Sequence, residues 1–289
     1  MVARMSETRV RFGFKQASEI AFLYVIISMI GAVSIEKLMR HFLGTDAAQA
    51  MLTGLTIGFS LATALILWRE KSRGRIGDWS SADWAFSSSV LCACVVTIAA
   101  MGIVLSEVDN WLRYFWPVPD SIRKVFESAT NLGENPLLVV LGVVVIGPFC
   151  EEVVMRGVIL RSLLRQMTPA KSILLSALLF SLMHMNPWQA VPTFFAGLLL
   201  GWMYFRTRSL AVCVAAHVAN NAVASWSTLL AGWIPGFGHG PGSTEHHFQP
   251  WWFTALGAVF FVVGAALFVR LTPAEGARTV PAHVLGRAS

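Results

Sequence analysis

Eight apolar runs, near residues 18–36, 47–68, 83–105, 136–165, 170–185, 188–205, 208–230 and 250–270, constrain this chain more than any other feature. A helix needs about 20 mainly apolar residues to cross the hydrocarbon core of a bilayer, and in lipid each backbone N–H and C=O must find its partner within the structure, so such runs fold as spanning helices. The fifth run is the shortest. With 55% hydrophobic residues, 13% charged residues and a mean hydropathy of +0.62, the chain carries more apolar surface than a soluble domain of 289 residues can bury. The expected fold class is all-α, a polytopic membrane helix bundle of about eight transmembrane helices set in the lipid bilayer. Eleven Trp and nineteen Phe suit interfacial belts and lipid-facing surfaces.

A net charge of +6 raises nucleic acid as a partner, but Lys and Arg fall in short clusters between the apolar runs, the pattern of loops facing an anionic leaflet. No nucleic acid is expected. Alternating the runs from a cytoplasmic N-terminus puts Arg69, Lys71, Arg73, Arg75, Arg161, Arg165, Lys171, Arg206, Arg208 and Arg270 on the cytoplasmic side, with Arg4, Arg9, Arg11 and Lys15 before them and Arg278 and Arg287 after. The other side keeps Lys37, Arg40, Arg113, Arg123 and Lys124. Both termini are therefore expected in the cytoplasm. No small-residue cleavage site follows the first run before Glu36 and Lys37, so it reads as a retained span.

The organisation expected is a basic tail at 1–17, N-terminal spans with an external amphipathic segment at 18–135, a catalytic core at 136–230, and an external loop, last span and tail at 231–289. Residues 106–135 mix Trp, Phe and charge, and are as consistent with an interfacial helix as with a plain connector. The loop GWIPGFGHGPGSTEHHFQP is expected to be exposed, with His239, Glu245, His246 and His247 as solvated loop residues. Cys92, Cys94, Cys150 and Cys213 all lie in apolar runs and read as small buried residues; Cys150 has no adjacent cation to activate it as a nucleophile.

Against this background, Glu151 and Glu152 in PLLVVLGVVVIGPFCEEVVMRGVIL are the anomaly. A carboxylate near the bilayer centre costs about 2.5–3.5 kcal/mol on insertion scales, so a pair of them marks a working site. Two further runs carry histidines, His184 and His217. At about 1.5 Å per residue, Glu151 and His184 each lie roughly 21 Å from the cytoplasmic ends of their runs, Asn221 roughly 20 Å and His217 roughly 14 Å. Helix periodicity sorts their roles. Glu152 and Arg156 are four apart, acid first, the favoured order for an intrahelical ion pair, whereas Glu151 points about 100° away and is the better candidate for chemistry. His217 and Asn221 share a face, as do Phe180 and His184. A dehydrated carboxylate with imidazole and amide neighbours can take a proton from water and support an oxyanion. Two His and a carboxylate also make a plausible open Zn2+ site, although no HExxH is present.

EExxxR (Glu151, Glu152, Arg156, then Gly157), FxxxH (Phe180, His184) and HxxxN (His217, Asn221), in that order on successive apolar runs, resemble the CPBP family of intramembrane proteases. That family includes the CAAX prenyl endopeptidases and the bacteriocin self-immunity proteins. The resemblance covers about residues 136–225. It implies peptide-bond hydrolysis in a membrane-associated protein or peptide, lipidated or not. Glu151 would activate the water, His184 and His217 would hold water or oxyanion, Asn221 would support the oxyanion, and Glu152, Arg156 and Phe180 would hold the site together. The family is labelled both as metalloprotease and as glutamate-dependent hydrolase; with no fixed metal-ligand spacing, the residues lean to the glutamate mechanism and to no certain cofactor, with Zn2+ on Glu151, His184 and His217 as the alternative.

Two other readings use the same residues. A non-catalytic membrane scaffold or immunity factor would keep the fold and bind a partner, and would tolerate loss of Glu151. A proton-coupled transporter would use buried acids and imidazoles for flux, but the chain has no inverted repeat and its polar groups gather in one place.

Overall fold

A computed structural model describes residues 12–77, 79–120, 122–123, 136–230, 233–238 and 247–272. Eight long helices run through these residues, and no strand is present among them: α1 Phe14–Leu38, α2 Ala47–Ser72, α3 Ser88–Phe115, α4 Pro136–Leu163, α5 Pro169–Met183, α6 Pro187–Thr207, α7 Leu210–Leu230 and α8 Trp251–Leu271. The chain is a multi-pass, all-helical membrane protein. Each helix coincides with one of the eight apolar runs, but only five are long and apolar enough to cross a bilayer on their own account: α1 with its extension to Leu43, α2, α3, α4 and α8. Helix α5 has 15 residues. Helices α6 and α7 have 21 residues each, and their hydropathy is held down by Gln189 and Thr193 in one and by His217, Asn220 and Asn221 in the other. A helix that packs inside a bundle needs no continuous lipid-facing surface, which is how the expected count of eight parts from the five that qualify.

Helix packing uses small residues, as expected where lipid is as apolar as the helices and close backbone approach supplies the attraction. Helices α1 and α2 meet so closely that a Cβ on Gly58 would lie 2.5 Å from the Ser28 carbonyl oxygen. Helices α3 and α8 form a second pair, and α5 and α6 a third. Helix α4 threads between them, against α2, α5 and α7.

Helix α4 is not regular. It is π-helical over Val140–Ile146 and Val153–Leu160, with a short α-helical stretch, Gly147–Glu152, between them. Pro148 supplies a cause for the first bulge: it has no N–H to donate and its ring crowds the preceding turn. The Gly147 N–H accordingly bonds to the Gly142 carbonyl, five residues back. In that register the next carbonyl, of Val143, would look for the N–H of residue 148, which is proline. Between the two π-helical stretches of α4, the uniform 100° step assumed from the sequence therefore holds across the six residues that contain the two glutamates, while Arg156 lies in the second of those stretches.

Two expectations outside the core change. Helix α3 runs on through Glu107 and Asn110 to Phe115, so the start of the 106–135 segment is a continuation of a span and not a separate interfacial helix. Pro117 follows soon after and cannot continue it. Residues 121 and 124–135, including Lys124, lie outside the described residues. The Gly- and His-rich loop is also less open than expected: Phe237 and Gln249 are buried, the Asn110 amide donates to the Gly236 carbonyl at 2.8 Å, and Glu107 accepts from the Gln249 N–H at 2.9 Å. Gly236 and Gly238 take left-handed φ of +72° and +79° there. His247 is exposed. His239, Glu245 and His246 lie outside the described residues, as do both terminal tails with Arg4, Arg9, Arg11, Arg278 and Arg287.

At the basic end, the connector between α2 and α3 folds back on the bundle. Trp79 covers Gly157, Arg161 reaches Asp83 at 3.3 Å, and a short 3-10 turn at Ser81–Trp84 packs on α7. Glu70, fully buried, is neutralised by Arg69 at 2.5 Å and Arg75 at 3.3 Å, and Arg69 also pairs with Glu19.

Candidate active site

The acid-first ion pair forms as its spacing predicts. The Arg156 Nη1 donates to Glu152 Oε1 at 2.6 Å, and both side chains are fully buried. Arg156 is held from two further directions: Nη2 donates to the Gly197 carbonyl at 3.2 Å, and the guanidinium carbon lies 4.9 Å from the centre of the Phe180 ring. A carboxylate in such a place is tolerable only with its charge matched and its lone pairs used. One oxygen of Glu152 is used twice, since it also accepts from His217 Nδ1 at 2.8 Å, while Oε2 has no partner.

His217 is the joint between the two glutamates. A carboxylate can only accept, so the hydrogen bond to Glu152 assigns the proton to Nδ1 and leaves Nε2 facing Glu151 Oε2 at 3.8 Å. That separation is too long for a direct hydrogen bond, yet one water oxygen can stand about 2.8 Å from both atoms. Glu151, unlike Glu152, retains some solvent access, with 15% of its side chain exposed. The two adjacent acids thus occupy different environments, one neutralised and sealed, the other open and joined to a polarised imidazole.

His184 comes from α5. It stands at the end of that helix, where Nδ1 bonds to the Phe180 carbonyl at 2.9 Å; by the same logic this carbonyl holds the proton on Nδ1 and leaves Nε2 with a free lone pair. Capping the helix and fixing the tautomer are therefore one interaction. Phe180 is the hub of the arrangement, with its ring edge-to-face to His184 at 5.1 Å, edge-to-face to His217 at 5.6 Å, and under Arg156.

Asn221 lies one turn beyond His217 on α7. Its amide Nδ2 donates to the Val143 carbonyl at 3.0 Å, the group that Pro148 leaves without a backbone donor, and its Oδ1 accepts from Asn220 at 3.3 Å. One N–H of Asn221 remains for another acceptor. Freed carbonyls inside a membrane are commonly satisfied by neighbouring side chains in this way.

Glu151, Glu152, Arg156, Phe180, His184, His217 and Asn221 therefore lie in one region of the fold. The sequence reading did not include Gly197, Val143 or Asn220 in the site. The first two act through backbone oxygens, which carry no side-chain signal; Pro148 in mid-span and the GxxxG spacing of Gly197 and Gly201 are the clues that the sequence offers. Gly197 lies at a close helix contact, since a Cβ there would stand 3.0 Å from Ala177 Cα and 3.2 Å from Phe180 Cδ1. Among the described residues no group of three His, Cys, Asp or Glu side chains is arranged to hold a metal ion.

Residues 133–223, which contain every one of these side chains, match the family model described as type II CAAX prenyl endopeptidase Rce1-like. Through this core the chain is similar to the CAAX-protease family. The match supports an intramembrane endopeptidase of the CAAX-protease type and a membrane-associated peptide substrate in general terms. No curated protein and no solved structure matches the chain.

Proposed function

We propose that the protein hydrolyses a peptide bond in a membrane-associated protein or peptide by means of a water activated by Glu151, without a metal. The observation that carries this reading is the division of labour across His217, whose Nδ1 is spent on the sealed Glu152 while Nε2 faces the accessible Glu151. Glu151 takes a proton from the water as the oxygen attacks the peptide carbonyl, and His184 Nε2 accepts the hydrogen that stays on that oxygen. The remaining N–H of Asn221 supports the oxyanion that develops on the carbonyl oxygen. When the tetrahedral intermediate collapses, the C–N bond breaks and the proton on Glu151 passes to the leaving amine. Charge that reaches His217 during the cycle is matched by carboxylates on both sides, and Arg156 holds Glu152 in place for that purpose.

The test is cleavage of bilayer-tethered reporter peptides, with and without a farnesylated C-terminal Cys motif, by the purified full chain and by Glu151→Gln. The expected result is cleavage by the wild type, unaffected by a zinc chelator, and a loss of at least about 100-fold in the variant. Chelator-sensitive cleavage would overturn the metal-free step, and undiminished cleavage by Glu151→Gln would overturn the role of Glu151 and favour a scaffold.

A further inference from the structure

The corner between α5 and α6, which carries His184, is anchored to the rest of the bundle by one buried side chain. Helix α5 ends at Met183 and α6 begins at Pro187, so His184, Met185 and Asn186 make the whole turn. Across residues 182–190 the one buried side chain is that of Trp188, 5% exposed. Its Nε1–H donates to the Trp116 carbonyl at 2.7 Å, and the ring centroids of the two indoles lie 5.2 Å apart. Trp116 closes the carboxyl end of α3, outside the family-matched segment. The last carbonyls of a helix have no partner within it, and a buried indole N–H needs an acceptor, so each group meets the other's requirement.

The corner is also strained. Met185 takes a left-handed φ of +48°, a conformation that crowds the Cβ of any residue but glycine and persists where the surroundings impose it. Two bonds close the corner on itself: Ser181 Oγ donates to the Ala190 carbonyl at 2.6 Å, and the Asn186 side chain accepts from the Trp188 backbone N–H at 3.0 Å. The first joins α5 to α6, the second starts α6, and neither ties the pair to another helix. Phe180, one turn below, sets α5 against Arg156. His184 itself bonds within α5, to the Phe180 carbonyl, and among the described residues its imidazole makes no hydrogen bond to α4 or α7, where the glutamates, His217 and Asn221 stand. Its alignment with them is therefore set by where the corner is held.

We propose that Trp188 is a positioning residue for the reaction: suspended from the carboxyl end of α3, it holds the corner so that His184 Nε2 faces the water at Glu151. The proposal rests on the hydrolytic reading of Glu151. Loss of the Nε1–H frees the Trp116 carbonyl and lets Met185 leave its left-handed conformation, and the imidazole then moves off line with the corner. A displacement of about 1 Å at a reacting group costs on the order of 100-fold in rate, so one hydrogen bond outside the glutamate–histidine cluster is enough to matter. Segment 133–223 supplies the reacting side chains, and α3, outside it, sets the place of one of them.

The experiment compares wild type, Trp188→Phe, Glu151→Gln and, as a control, Trp252→Phe on the exposed face of α8. The full chain in detergent micelles is followed by cleavage of the farnesylated reporter peptide, by a thermal melt, and by nitrogen NMR of histidine-labelled protein, with the two imidazole signals assigned from His184→Gln and His217→Gln. Trp188→Phe keeps an aromatic ring and removes the N–H. It is expected to lower kcat about 10- to 100-fold with KM changed less than about two-fold. It should melt close to the wild type and replace the single Nδ1–H tautomer of His184 by an average of both, with His217 unchanged. Trp252→Phe should match wild type throughout. A His184 signal unmoved by Trp188→Phe, or wild-type kcat in that variant alongside an inactive Glu151→Gln, would overturn the role of Trp188 and leave the hydrolytic reading standing. Movement of both histidine signals with a lowered melting temperature would overturn it in favour of a packing role. A fully active Glu151→Gln would instead remove the hydrolytic reading and this proposal with it, whatever the His184 signal does.

Discussion

Replacing Arg156 by Met tests the logic of the site most severely, because it removes a charge and leaves the shape. Arg156 is the largest fully buried side chain among the described residues, and it satisfies Glu152 at 2.6 Å, the Gly197 carbonyl at 3.2 Å and the face of Phe180. Both hydrogen bonds are donated by the guanidinium and so are charge-assisted, about 1.5–3 kcal/mol each, and a desolvated cation–π contact contributes about 2. These gross terms sum to about 5–8 kcal/mol, and methionine returns part of that through apolar packing. The expected loss is about 3–5 kcal/mol, the cost of breaking a buried pair from one side. In a melt of the detergent-solubilised protein this is a drop of roughly 10 °C. The double variant Glu152→Gln with Arg156→Met has no stranded charge and should recover most of that stability. It should still be inactive, because the neutral amide that replaces the Glu152 carboxylate cannot hold His217 as the carboxylate does. An Arg156→Met protein that melts with the wild type would refute the reasoning, since it would mean that Glu152 carries no charge worth matching. A double variant as unstable as the single would refute it too, by placing the cost in packing.

Other expectations concern the close contacts around the site. Gly197→Ala would set a methyl 3.0 Å from Ala177 Cα and 3.2 Å from Phe180 Cδ1, and should cost about 1–3 kcal/mol in the same melt while lowering activity through the displaced Phe180. Gly157→Ala would meet Trp79 Cζ2 at 3.0 Å, and the expected result is faster proteolytic cutting between α2 and α3 with the melt little changed. Asn221→Leu strands the Val143 carbonyl, so a loss of about 1–3 kcal/mol should accompany loss of cleavage; Asn221→Asp, which cannot donate, should be no better.

Much of this site could be read from residue order. An acid four residues before an arginine inside an apolar run has few ways to be neutral other than by pairing, and Glu152 with Arg156 does so. The depth arithmetic set Asn221 level with Glu151 and His217 one turn nearer the cytoplasm, whereas it is His217 that meets both glutamates and Asn221 that bonds to the Val143 carbonyl. What the spacing could not supply was the tautomer of either imidazole. That depends on which acceptor lies behind Nδ1: the Phe180 carbonyl for His184 at a helix end, and Glu152 for His217. Nor did it reveal that Asn221 supports the backbone, because that use depends on a carbonyl that becomes free only when α4 widens ahead of Pro148.

By itself the amino-acid sequence determined the membrane class, the eight helical runs, the ion pair and the identity of the acid left unpaired. These follow from transfer free energy and from the fixed period of a helix, both of which act within a single segment. The tertiary structure alone decided which of the runs are sheltered by others, and that the Gly-rich loop is tied down by Glu107 and Asn110. It also decided that His217 bridges the two glutamates. Those outcomes depend on rotations and contacts between separate helices, where close packing of small residues selects one arrangement out of many that the same hydropathy pattern would allow.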